Sequence, residues 1–152
     1  MFTLLQATSK QNKIIYKAAE HIKKLDFDDQ YWRDQLSDSE YAILRKGATE
    51  PRFSSQYSKF YQSGTYSCVG CDLALFTSDM KYDSKTGWPS FSNHIRGHLE
   101  TYTDLKDIWP KTGYRCAQCG GHHGHLIMDG PLPSGQRWCN NGQVLNFKNT
   151  IG

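Results

Sequence analysis

The chain has 152 residues, 38% of them apolar and 13% aromatic, and a formal charge of +3; its mean hydropathy is −0.68. Such a length suits one domain that buries a core yet gains from a metal staple, and no segment approaches the roughly 20 apolar residues of a helical bilayer span, so a soluble protein is expected. No basic stripe appears, which argues against a nucleic-acid partner.

Ile14, Ile15, Ala18, Ala19, Ile22 and Leu25 recur at helical spacing, which predicts an amphipathic packing helix over residues 8–25. The same segment lacks the apolar stretch of a secretory signal, so the expected setting is cytoplasmic and reducing. Lys10, Lys13, Lys17, Lys23 and Lys24 would suit organellar import, while Glu20, Asp26 and the absence of arginine speak against it. A second helical stretch is predicted around Tyr31, Trp32 and Leu36. Ser37-Asp38-Ser39-Glu40 then has the form of a capping box ahead of Tyr41, Ile43 and Leu44, with Gly47 as the stop. Beyond residue 50 short segments at 65–67, 73–76, 98–103, 114–116, 125–128 and 144–147 are separated by glycine, proline, serine and aspartate, which reads as antiparallel β structure. The expected fold class is mainly β, with helices leading.

Five cysteines stand as two Cys-x-x-Cys pairs, Cys68/Cys71 and Cys116/Cys119, plus Cys139. Two such turns place four thiolates around one tetrahedral ion, and with every position filled by sulfur the ion, zinc, would be structural. Bound zinc with four thiolates would lower the formal charge to about +1. Two disulfides, a redox-active pair and a nucleic-acid-binding ribbon are the alternatives. They lack, respectively, an oxidising setting, a βαβ context and basic knuckles.

Cys139 is then the spare thiol. It follows Arg137, whose cation would favour a thiolate, and precedes the turn signal Asn140-Asn141-Gly142. A lone cysteine is otherwise a small buried hydrophobe. The run Gly120-Gly121-His122-His123-Gly124-His125 supplies imidazoles the metal does not need, either as ordinary hydrogen bonders or as acids aimed at a polar oxygen. Trp88, stiffened by Pro89, reads as an aromatic wall or as core.

Thr49-Glu50-Pro51, Leu75-Phe76, Lys81-Tyr82-Asp83, Gly87-Trp88-Pro89-Ser90-Phe91, Cys116-x-x-Cys119-Gly120, His122-x-Gly124-His125, Asp129-Gly130-Pro131 and Arg137-x-Cys139-x-Asn141 together resemble the marks of the methionine-R-sulfoxide reductases, the MsrB family. The match runs from about residue 36 to residue 147. This resemblance implies a β-tent fold of antiparallel sheets over residues 36–152, preceded by a helical extension over 1–35. It implies that Cys68, Cys71, Cys116 and Cys119 hold zinc and that Cys139 attacks the sulfoxide sulfur and becomes a sulfenic acid. His122, His125 and Asn141 would bind and protonate the oxygen, while Trp88, with Phe91 and Arg137, would bind the substrate. Oxidised proteins are the implied partners of a monomeric enzyme.

Many members carry a resolving cysteine two residues before the tryptophan, where this chain has Thr86. With four cysteines on zinc no thiol remains to resolve the sulfenic acid. The expected reductant is therefore external: thioredoxin, glutaredoxin with glutathione, or a small thiol. Further departures are His123, where leucine is usual, Asn140 and Gly142 beside Asn141, and the stretch 104–114. A non-catalytic zinc module that binds a peptide or ligand is the competing reading.

Overall fold

The computed structural model describes residues 16–150. Helix α1 (Asp29–Gln35) starts where the Asp28 carboxylate accepts from Tyr31 N, and Arg33 pairs with Asp29 one turn away. Helix α2 (Asp38–Lys46) carries the expected capping box: Ser37 Oγ accepts from Glu40 N and Glu40 returns to Ser37 N. Gly47 ends it in the left-handed region at φ 72°, with Gly47 N donating to Ile43 O and Ala48 N to Ala42 O. These helices bury Trp32, Tyr41, Ile43 and Leu44 against the sheets.

The remaining chain forms two antiparallel sheets. One has the order β2 (Ala74–Thr77), β1 (Gly64–Cys68), β9 (Leu145–Asn149); the other has the order β3 (Lys81–Tyr82), β4 (Ser90–Phe91), β8 (Arg137–Asn140), β7 (His122–Ile127), β6 (Lys111–Cys116), β5 (Leu99–Asp104). The fold class is thus mainly β, as expected. Aromatic rings fill the core, with Phe76 and Phe91 stacked at 3.9 Å and Tyr66, Tyr114 and Trp32 fully or almost fully buried.

The helix expected over residues 8–25 is not found where the structure describes it. Residues 8–15 lie outside the described residues, and 16–25 run without helical structure. Their backbone amides bond to the sheet body instead, Ala19 N to His98 Nε2 at 3.0 Å and Leu25 N to Gln118 O at 2.7 Å. Tertiary partners have overridden a local periodicity. No helix among the described residues is long and apolar enough to cross a membrane.

Candidate active site and metal centre

The two Cys-x-x-Cys turns have matching backbones. Cys68 N donates to Leu73 O and Cys116 N to Gly121 O; four residues after each leading cysteine, Asp72 N and Gly120 N return to Cys68 O and Cys116 O. Asp72 and Gly120 both take the left-handed conformation, at φ 67° and 73°, that curls each turn under its sulfurs. All four Sγ atoms lie within 4.8 Å of one another, with Cys68 to Cys119 at 3.6 Å and Cys71 to Cys116 at 3.4 Å. A disulfide needs about 2.05 Å between sulfurs, whereas sulfurs about 2.3 Å from a tetrahedral ion lie about 3.8 Å apart. The cysteines are free, and the donor set fits a metal ion with no position left for water.

Cys139 sits mid-sheet. A single register row crosses five strands, pairing Ser90 with Cys139, Cys139 with His125, His125 with Gly113 and Gly113 with Tyr102. Side chains in one such row share a face. Gly113 leaves that face bare, and a Cβ there would lie 2.5 Å from the Tyr102 ring, so Tyr102 and Asp104 reach across β6 to the histidines. The Tyr102 hydroxyl is 2.6 Å from His122 Nδ1, and Asp104 Oδ2 is 2.8 Å from His125 Nε2. His122 and His125 would face opposite ways on a regular strand. A register irregularity matches Arg115 with His122 but Tyr114 with Gly124, so His123 is the extra residue and the two flanking imidazoles meet with centroids 5.3 Å apart. Gly124 is required by the close approach of β7 to β8, because a Cβ would collide with the Cys139 carbonyl.

A cavity of about 530 Å³ opens on this face, lined among others by Trp88, His125, Met128, Arg137, Cys139 and Asn141. Trp88 forms a wall; its Nε1 donates to Glu50 O at 3.0 Å and Arg52 lies 4.9 Å over its ring. Arg137 is held by Asp129 through two bonds, of 2.7 and 3.1 Å. The Asn141 amide is committed to the scaffold, accepting from Glu50 N and donating to His123 O, both at 2.9 Å. Phe91 is not brought to the cavity: one residue along β4 from Ser90, it points to the opposite face, pairs with Trp138 and is fully buried in the core.

Burial pushes the Cys139 thiol up to about 11, outweighing the lowering effect of Arg137 that its neighbourhood in sequence suggested. Burial also holds His122 down at about 4, so its imidazole is neutral, and its buried Nε2 has no partner among the described residues. Bonding to His125 keeps the Asp104 carboxyl below its usual range. Glu50, buried beneath the turn after Cys139, has its pKa raised by burial although its Oε1 accepts from Gln143 N. Reading the sequence overlooked Tyr102 and Asp104, and placed Glu50 and Asp129 in motifs without giving them a role. Tyr102 fell within the expected strand 98–103, whereas Asp104 joins its face only because the strand runs one residue further, Leu99–Asp104.

Residues 36–149 match the SelR domain. The chain is 42% identical over 121 residues to the peptide methionine sulfoxide reductase MsrB of Bradyrhizobium diazoefficiens, covering 79% of this chain and 87% of the relative. It is 40% identical over 126 residues to the protein of the same name from Agrobacterium fabrum, covering 82% and 93%, and 42% identical over 126 residues to that of Acinetobacter baumannii, covering 82% and 91%. With sheet, cysteine cluster and cleft in agreement, the chain belongs to the SelR-domain family, that of the peptide methionine sulfoxide reductases MsrB.

Proposed function

We propose that the protein reduces the R epimer of methionine sulfoxide in oxidised proteins, using Cys139 as the nucleophile. The observation that carries this reading is the orphaned, neutral His122 Nε2 beside His125, on the face that also carries Cys139. Tyr102, donating its hydroxyl hydrogen to His122 Nδ1, leaves Nε2–H to donate to a sulfoxide oxygen, a strong acceptor. Asp104 orients His125 for the same oxygen. Trp88 packs against the substrate methyl group, Arg137 closes the floor, and Asn141 acts by holding the turn rather than by touching substrate.

The resting thiol carries its proton at neutral pH, so the substrate oxygen itself serves as the acceptor that releases the thiolate. Sulfur of Cys139 attacks the sulfoxide sulfur, the sulfur–oxygen bond breaks, and the oxygen ends on Cys139 as a sulfenic acid while the thioether leaves. The cysteine sulfur is oxidised by two electrons and the sulfoxide sulfur reduced by two. Two external thiols, from thioredoxin, from glutaredoxin with glutathione or from a small thiol, then give a disulfide, water and free Cys139. Support for an external reductant is the count: four of five cysteines are drawn into one cluster.

The ion we assign to Cys68, Cys71, Cys116 and Cys119 is zinc, in a structural role that joins β1 to β6 and adds binding free energy to folding. The deciding experiment is turnover of separately prepared R and S methionine sulfoxide peptides with dithiothreitol, comparing the natural chain with Cys139→Ser. Reduction of the R epimer alone, lost in the variant, is expected. No turnover by a folded, metal-loaded protein would instead favour a binding module.

A further inference from the structure

The irregularity that brings His122 and His125 together turns His123 to the other face of β7, into the core. There it is fully buried, as are its neighbours Cys68, Asn140 and Tyr114. His123 Nε2 lies 3.2 Å from Cys68 Sγ, and its Nδ1 lies 3.2 Å from Asn140 Nδ2. The same Asn140 nitrogen donates to Asn141 O at 2.9 Å, and Asn140 Oδ1 accepts from the Tyr114 hydroxyl at 2.8 Å. Asn140 is the residue directly after Cys139.

Donor counting leaves one arrangement. The Asn141 carbonyl can only accept, which fixes the Asn140 amide with its nitrogen toward Asn141 O and His123 and its oxygen toward the Tyr114 hydroxyl, which then donates. Both amide hydrogens are then used, one on Asn141 O and one on His123 Nδ1. Nδ1 is therefore the acceptor nitrogen, and Nε2 carries the ring hydrogen and points it at Cys68. A metal-bound thiolate, rich in lone pairs and without a hydrogen, is the partner such a donor needs. Every polar atom of the chain from Tyr114 to Cys68 is satisfied in a region closed to water, where an unmatched group is costly.

We propose that His123 and Asn140 are a positioning pair that ties the metal site to the catalytic strand. His123 holds the Cys68 thiolate through an N–H···S hydrogen bond, and Asn140 carries that constraint to the Asn141 carbonyl, in the turn that follows Cys139. Neither residue touches substrate. The inference rests on the zinc reading of the four cysteines and adds to it a supporting shell within the protein.

The test uses the zinc-loaded full chain and three variants, His123→Leu, Asn140→Leu and the double change. Zinc release to a chromophoric chelator should be about 10- to 100-fold faster in His123→Leu. The double variant should recover part of the thermal stability lost in Asn140→Leu, since it no longer strands His123 Nδ1 while the Tyr114 hydroxyl is unpaired in both, yet keep the fast zinc release. In cobalt-substituted protein His123→Leu should shift the thiolate-to-metal charge-transfer bands to lower energy, because a sulfur without its donor is more electron-rich. Nitrogen NMR of the unmodified protein should show His123 protonated at Nε2 and bare at Nδ1, a readout that needs no variant to fold. Zinc release at the natural rate, unshifted cobalt bands, or a His123 protonated at Nδ1 would overturn the pair. Purified natural protein without bound metal would overturn both this pair and the zinc assignment, whereas bound zinc with an unaffected His123→Leu would overturn the pair alone.

Discussion

The buried thiol makes a quantitative claim about reactivity. Cys139 has a pKa near 11 against an ordinary value of 9.0, the shift arising first from burial among the cleft walls. At pH 8 its thiolate fraction is about a hundredfold below that of an ordinary thiol. Alkylation by iodoacetamide, followed at the Cys139 peptide by mass spectrometry to separate it from the metal cysteines, should rise about tenfold per pH unit up to pH 10 and level off near 11. Trp88→Ala wets the cleft and should bring the midpoint back towards 9.0. Stability follows with a definite sign. The folded thiol holds its proton more tightly than the unfolded one, so the contribution is complete below pH 9 and is lost as pH rises through 11, by roughly 2 to 3 kcal/mol in total. Urea unfolding of the natural chain and Cys139→Ser across pH 8–11 should show that difference. An alkylation plateau at or below pH 9 would refute the claim that burial dominates over Arg137, and with it the view that the substrate's own oxygen releases the thiolate.

Gly124→Ala drives a methyl group into the Cys139 carbonyl, so β7 must leave β8; a loss of about 3 kcal/mol in urea unfolding is expected, and an unchanged midpoint would contradict the close approach. Tyr102→Phe strands His122 Nδ1; kcat/KM for the sulfoxide peptide should fall with little change in stability beyond about 1 to 3 kcal/mol, and unaltered turnover would remove Tyr102 from the site. Glu50 has its pKa raised by burial, so its proton stabilises the fold at low pH and that contribution is lost as pH rises through its folded value; Glu50→Gln should flatten the acid side of the stability profile, which a parallel pair of profiles would disprove.

Much of the architecture could be read from local chemistry. The Ser37 to Glu40 box and Gly47 bound α2 because capping is decided within a few residues. Strands of five or six residues were largely anticipated, with their ends misplaced, but β3 and β4 have two residues each and leave no period to detect. Strand β8, holding Cys139, was hidden by the turn signal of Asn140-Asn141-Gly142 immediately after it. The stripe of residues 16–25 misled because its amides found partners on His98 and Gln118, contacts that no local pattern encodes.

The two Cys-x-x-Cys spacings by themselves put two sulfurs on each turn and pointed to one four-sulfur site, while the meeting of the two turns, Cys68 with Cys119 and Cys71 with Cys116, is made by the tertiary structure. The identity of the spare thiol likewise followed from counting. What only the tertiary structure decided is which way each histidine faces. One extra residue in β7 puts His122 and His125 on one face, with His125 in the cleft, and sends His123 to the metal site, and a bare Gly113 admits Tyr102 and Asp104 from a strand two positions away. Register across a sheet is a non-local quantity, set by pairing between strands distant in sequence, and a shift of one residue exchanges the two faces.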